Sequence, residues 1–127
     1  MALGKIKADT LEHSTAGSLD TSYVVNGSLK SWGVISGDGT TVNDSLNASS
    51  FTDTSAGQGY LNFASSMVSA NYLQINFNQW TDFDTGNGAY AVNKGTSQTS
   101  RCRSLHYENK TLTDPQNRHI MVAGDLA

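Results

Sequence analysis

Apolar and polar residues alternate along this chain in short runs, and few stretches repeat every three to four positions. Period-two alternation bounded by Gly, Asn, Asp and Ser marks half-buried strands. It predicts strands near Ser22–Val25, Leu29–Ser36, Thr40–Asp44, Ser49–Thr54, Gly59–Phe63, Tyr72–Phe77, Gly88–Val92, Ser100–Tyr107 and Arg118–Ala123. Around the sixth of these, Tyr72, Gln74, Asn76 and Asn78 share one face, and Leu73, Ile75 and Phe77 share the other. In the last, His119, Met121 and Ala123 oppose Ile120, Val122 and Gly124. Both faces there are apolar enough to predict a central strand. The best helical candidate, residues 63–72, is rich in Ser and Asn and reads as a turn or one helical turn.

The turns between these runs have their own chemistry. Gly37-Asp38-Gly39, Gly57-Gln58-Gly59 and Gly86-Asn87-Gly88 supply residues free to take positive φ at hairpin tips. Asn26-Gly27 carries a type I′ turn signal, and Pro115 after Asp114 marks a turn before the last strand. Eight or nine short strands at this spacing predict an all-β fold, an antiparallel, jelly-roll-like β-sandwich over residues 22–127. Residues 1–21 have scattered apolar positions, Leu3, Ile6, Leu11 and Leu19, and no period. They read either as a frayed terminus or as an extended N-terminal arm that docks on a neighbouring subunit.

Composition narrows the class. At 127 residues the chain makes one domain with one small core. Sixteen Ser, thirteen Thr and eleven Asn take the place of charge, which falls to 15%; this excludes a coiled coil. The net charge of −3, with basic pairs only at Lys5/Lys7 and Arg101/Arg103, argues against nucleic-acid binding. No run approaches the ~18 apolar residues of a membrane span, and no signal peptide stands at the start. The sequons at Asn26, Asn43, Asn47 and Asn109 are expected by chance in so polar a chain. The single Cys102 cannot form an internal disulfide. It reads as a core residue, or as a thiol activated by Arg101 and Arg103.

Catalytic chemistry finds little support. His13, His106 and His119 are widely separated, and no nucleophile elbow, zinc motif or phosphate-binding glycine loop is present. No enzyme activity, cofactor or metal is expected. Asp82, Asp84 and Asn87 form the densest oxygen cluster, in TDFDTGNG, but without the glycine order and bidentate Glu of a calcium loop. Trp32, Tyr60, Tyr72, Trp80 and Tyr90 are candidate sugar-stacking rings. Of the two tryptophans, Trp32 reads as core and Trp80 as exposed. Trp80, Asp82, Asp84 and Asn87 are therefore the candidate surface-contact residues, and Leu3, Ile6 and Leu11 the candidate docking residues of the arm.

Three stretches carry a resemblance: STAGSLDTSYVVNGSLKSWGVISGDGT, NDSLNASSFTDTSAGQGYLNFASSMVSANY and RHIMVAGDLA. The motif residues are Ser18, Asp20, Tyr23, Val24, Asn26, Gly27, Ser28, Lys30 and Trp32. They continue with Asp44, Ser45, Asn47, Ser49, Ser50, Thr52, Asp53, Tyr60, Asn62 and Phe63, and end with Gly124 and Asp125. In this order they resemble small β-rich domains of tailed-bacteriophage virion structural proteins, tail-fibre-like and of marine phage type. The chain departs from them at Gly33-Val34 and in NQWTDFDTGNG.

The resemblance implies a virion structural protein without catalysis, of the tail-fibre or spike type, partnered by other tail or capsid proteins. It would be located in the virion, after assembly in the host cytoplasm, with Trp80, Asp82, Asp84 and Asn87 as host-contact residues and Leu3, Ile6 and Leu11 as particle-anchoring residues of the arm. A homotrimer is expected, since small sandwiches gain buried area by symmetric association, with a host-surface glycan as a further partner. The alternatives are a capsid decoration protein, favoured by the absence of a stalk from so short a chain, and a carbohydrate-binding module.

Overall fold

In the computed structural model, described over residues 8–15, 17–79, 89–92, 98–108 and 110–127, alternation becomes two stacked antiparallel sheets. The elements are β1 (Thr10–His13), β2 (Gly17–Asp20), α1 (Thr21–Gly27), β3 (Leu29–Ser36), β4 (Val42–Leu46) and β5 (Ala48–Ser55). They continue with β6 (Gln58–Phe63), β7 (Leu73–Gln79), β8 (Ala89–Val92), β9 (Arg101–Glu108), β10 (Thr111–Leu112) and β11 (Asn117–Ala123). Sheet I has the order β4-β3-β11-β7. Sheet II has the order β10-β9-β6-β5, with β8 also paired to β9. The predicted all-β antiparallel sandwich is the fold observed, and β11 is central as expected.

The core lies where the buried parities of the two sheets meet. Ile35, Ile120 and Val122 from sheet I face Leu61, Phe63 and Cys102 from sheet II, with Met67 closing one end. Each fully buried aliphatic side chain of this kind contributes about 1.5–3 kcal/mol. So small a core leans on its turns. Gly39 and Gly57 take φ +73° and +72°, as their places at hairpin tips require. In the first of these tips Asp38 accepts from Ser36 Oγ (2.6 Å), Thr40 N (3.0 Å) and Thr40 Oγ1 (2.9 Å). The Ser36 bond, then the two from Thr40, hold its carboxyl below the ordinary aspartate range.

One polar hub joins three turns. Arg118, fully buried on β11, donates to Gly37 O through Nε (3.2 Å) and Nη2 (3.0 Å) and to Asp114 Oδ1 through Nη2 (2.9 Å). Asp114 Oδ1 also accepts from Gly57 N (2.7 Å). Burial pulls the guanidinium pKa down, and Asp114, Asp53 and Asp38 oppose that shift. Arg118 also stacks over the Phe51 ring, 5.5 Å from its centroid.

The N-terminal region departs from expectation. Residues 22–25 are helical, not a strand, and Asn26-Gly27 lies in the last turn of α1 rather than in a hairpin. The cause is local. Asp20 caps the helix, accepting from Ser22 N (2.7 Å), and Thr21 Oγ1 donates to Ala8 O (2.7 Å). Such capping outweighs the β-propensity of Val24 and Val25. β1 and β2 pair antiparallel rather than forming an extended arm, with Leu11 opposite Leu19 and Gly17 at φ +90°. Both faces of this pair are exposed, so no alternation announced it.

Candidate functional site

Sheet I is inside out along β7. Its polar residues Gln74, Asn76 and Asn78 pair with Val122, Ile120 and Arg118 on the inward parity, while Leu73, Ile75 and Phe77 point outward. The inward amides have work to do against β9. Gln74 Nε2 donates to Arg103 O (2.7 Å) and Asn76 Oδ1 (2.9 Å), and Asn78 Nδ2 sits 2.8 Å from His106 Nδ1. These bonds tie the edge of sheet I to sheet II.

The outward parity builds a continuous apolar surface. Register places Leu46, Trp32, Met121 and Ile75 side by side across all four strands. The adjacent row is Asp44, Val34, His119 and Phe77, and Ala123 pairs with Leu73 in the next. Leu73 is 63% exposed, Phe77 56% and Leu46 48%. Trp32, expected in the core, is half-buried on this outer face. Its parity is that of Val34, opposite to buried Ser31, Gly33 and Ile35. Leu29, Trp32, Val34, Phe77, His119 and Met121 line a groove of about 590 Å³. Soluble monomers rarely expose contiguous apolar patches beyond a few hundred Å² unless the patch meets something.

A second uncovered apolar set lies N-terminal to it. Leu11, Leu19, Tyr23, Val24 and Val25 are all exposed, and α1 buries none of its residues. Helices this short gain stability mainly from packing an apolar face, and against the described residues α1 leaves its own apolar residues exposed. Lys30 Nζ donates to Val25 O and to Ser28 Oγ, fastening the end of the helix to the start of β3.

The outer face of sheet II is different in kind. Tyr60 pairs with Thr52 and Arg103, and Asn62 donates to Ser50 Oγ (3.0 Å) and Thr52 Oγ1 (2.8 Å). The Arg101 guanidinium lies 4.3 Å from the Tyr60 ring centroid, so one face of this candidate sugar platform is taken. Tyr72 is half-buried, its hydroxyl donating to Arg101 O (2.8 Å). The proposed host-contact residues Trp80, Asp82, Asp84 and Asn87, and the arm residues Leu3 and Ile6, fall outside the described residues, as does the Tyr90 side chain. Leu11 is described, exposed on β1.

The thiol reading of Cys102 is overturned. Its side chain is fully buried in the core, and burial pushes its pKa up to about 12. At pH 8 the thiol therefore stays protonated, so iodoacetamide is expected to label it only after denaturation. Rapid labelling of the folded chain, followed by intact mass, would contradict that burial. His106 is buried between the sheets, whereas His119 sits on the outer face of sheet I. No group of three or more His, Cys, Asp or Glu able to hold a metal exists among the described residues. No described helix is long and apolar enough to cross a membrane.

No protein family, curated protein or solved structure matches this chain.

Proposed function

We propose that this chain is a structural subunit of a tailed-phage virion, of the tail-fibre or spike type, that assembles as a homotrimer and serves attachment to the host. The observation that carries the reading is the pair of uncovered apolar surfaces, the outer face of sheet I and the β1–β2–α1 unit. An enzyme concentrates polar and titratable groups in a cleft. Here the groove on sheet I is apolar, and the titratable groups His106 and Arg118 are spent on internal bonds. The sequence resemblance supplies the setting, a virion, and the small core supplies the reason to associate.

Capsid decoration is the second reading. The exposed Leu11, Leu19 and Tyr23 of the N-terminal unit suit a clamp on shell subunits as well as a tail anchor. A carbohydrate-binding module is the third, with its strongest described ring, Tyr60, already covered on one face by Arg101.

Quantitative mass spectrometry of purified virions tests this proposal. A few copies for every hundred major shell subunits is the expected result for a tail component. One copy for every one to three shell subunits would move the chain to the head. Absence from purified particles would reject the virion role. Deleting residues 1–27 is expected to leave the sandwich folded, since α1 buries nothing, and to abolish incorporation. Incorporation of the truncated chain at normal copy number would show that the anchor lies elsewhere.

A further inference from the structure

We infer that the groove on the outer face of sheet I receives the β1–β2–α1 unit of a second copy of this chain. The inference deepens the proposed subunit role and rests on it only in supposing that copies meet.

The acceptor is built for an apolar partner. Its long row, Leu46–Trp32–Met121–Ile75, crosses all four strands without a charge. Ionisable side chains near it are Asp44 at the β4 edge and His119, with Lys30 engaged by Val25 O and Ser28 Oγ. A charged or strongly hydrated partner would lose solvation there without gaining a counter-charge. The surface is a groove rather than a plane, which suits a narrow inserted element better than a second flat sheet.

The donor is the only other large apolar set among the described residues. Tyr23, Val24 and Val25 in α1, with Leu11 and Leu19 on β1 and β2, all stay exposed against the described residues of their own chain. The donor supplies no residue to the lining of its own groove. It joins β3 directly through Ser28, and the Lys30 bond to Val25 O holds its end at the start of that strand, while α1 packs chiefly on β2. Each chain therefore carries one donor and one acceptor on different surfaces. Contacts of that kind are heterologous, and they close into a ring when the rotation permits. Three copies closing this way give the expected trimer with no unpaired donor.

Both surfaces can be altered where the free chain tolerates change. Phe77→Asp places a carboxylate in the groove lining at an exposed position. Tyr23→Asp does the same in the donor, in the first turn of α1, where a carboxylate favours the helix dipole. The full-length wild type is expected to run at three times the 13.6 kDa chain mass by light scattering and native mass spectrometry. Each variant alone is expected to fall to the single-chain mass with an unchanged far-UV circular dichroism spectrum. Mixing the two variants is the decisive step. The intact donor of one meets the intact acceptor of the other, so a two-chain species forms and goes no further. Met121→Lys replaces Phe77→Asp should the latter not fold.

A wild type at single-chain mass overturns the inference. So does a mixture that stays at single-chain mass, or a Tyr23→Asp chain that stays trimeric. These outcomes are separable from the fate of the virion reading. Copy number in particles tests that reading, and the purified chain alone tests this one.

Discussion

Gly37→Ala is expected to cost on the order of 4 kcal/mol, enough to leave much of the chain unfolded. A Cβ at Gly37 would stand 1.4 Å from Pro115 O, 2.6 Å from Pro115 C and 2.9 Å from Gln116 O. All three are backbone atoms, so no side-chain rotation relieves the clash. The 114–116 segment would have to move away. That movement breaks Gly37 N to Gln116 O (2.9 Å) and pulls Asp114 from Gly57 N. Gly27→Ala is the matched control, since nothing lies within 4 Å of a Cβ there. Urea melts at fixed protomer concentration compare the two, because association adds to apparent stability. A Gly37→Ala midpoint equal to that of wild type would mean that the turn repacks freely.

Arg118→Met is expected to cost about 3 kcal/mol, the lower end for removing one partner of a buried ion pair. The lower end applies because Asp114 keeps 43% side-chain exposure and can turn to water once its partner is gone. Methionine preserves much of the stem's volume. What is lost is the fork of donors to Gly37 O and Asp114 and the stacking on Phe51. Arg118→Lys keeps the charge but cannot span both acceptors, and is expected to recover only part of the loss. A loss under about 1 kcal/mol for Arg118→Met, read from the same melts, would show that the hub is incidental to the fold. Gly37→Ala and Arg118→Met act on one network, so their double variant should lose less than the sum.

These positions differ in how plainly the sequence announces them. Alternation located β3, β6, β9 and β11 within a residue or two, because each has one face in the core, and β5, which packs Ala48 and Phe51 against that core. It missed β1 and β2, whose faces are both exposed, and β10, only two residues long. It misread residues 22–25, where the Asp20 cap decided the backbone against the preference of two valines. Hardest to see was the polarity of β7. Period two sorts Leu73, Ile75 and Phe77 from Gln74, Asn76 and Asn78, but does not say which set faces inward. That choice depends on β9, distant in sequence, whose Arg103 carbonyl and His106 ring the amides reach. Trp32 was misplaced for the same reason. A large apolar residue in a strand is assigned to the core unless the parity of the whole sheet is known. The hub was hidden differently: Arg118 bonds a glycine carbonyl 81 residues away, and only its neighbour Asp114 stood in view.

The position of β11 has a consequence for synthesis. This strand lies between β3 and β7, pairing Asn117 with Ser36 on one side and Gln79 on the other. While a ribosome is still making the first hundred residues, the β3–β4 hairpin and β7 have no bridge between them, and each shows an open edge. Pairings of such long range form late, and unfilled edges invite wrong partners. The groove cannot exist before residue 121 supplies its middle. If copies dock as proposed, nascent chains crowded on one messenger would carry helices before any of them had a groove to receive one. Completion of the last strand would then act as a timing gate, admitting to that assembly only chains whose sandwich has already closed.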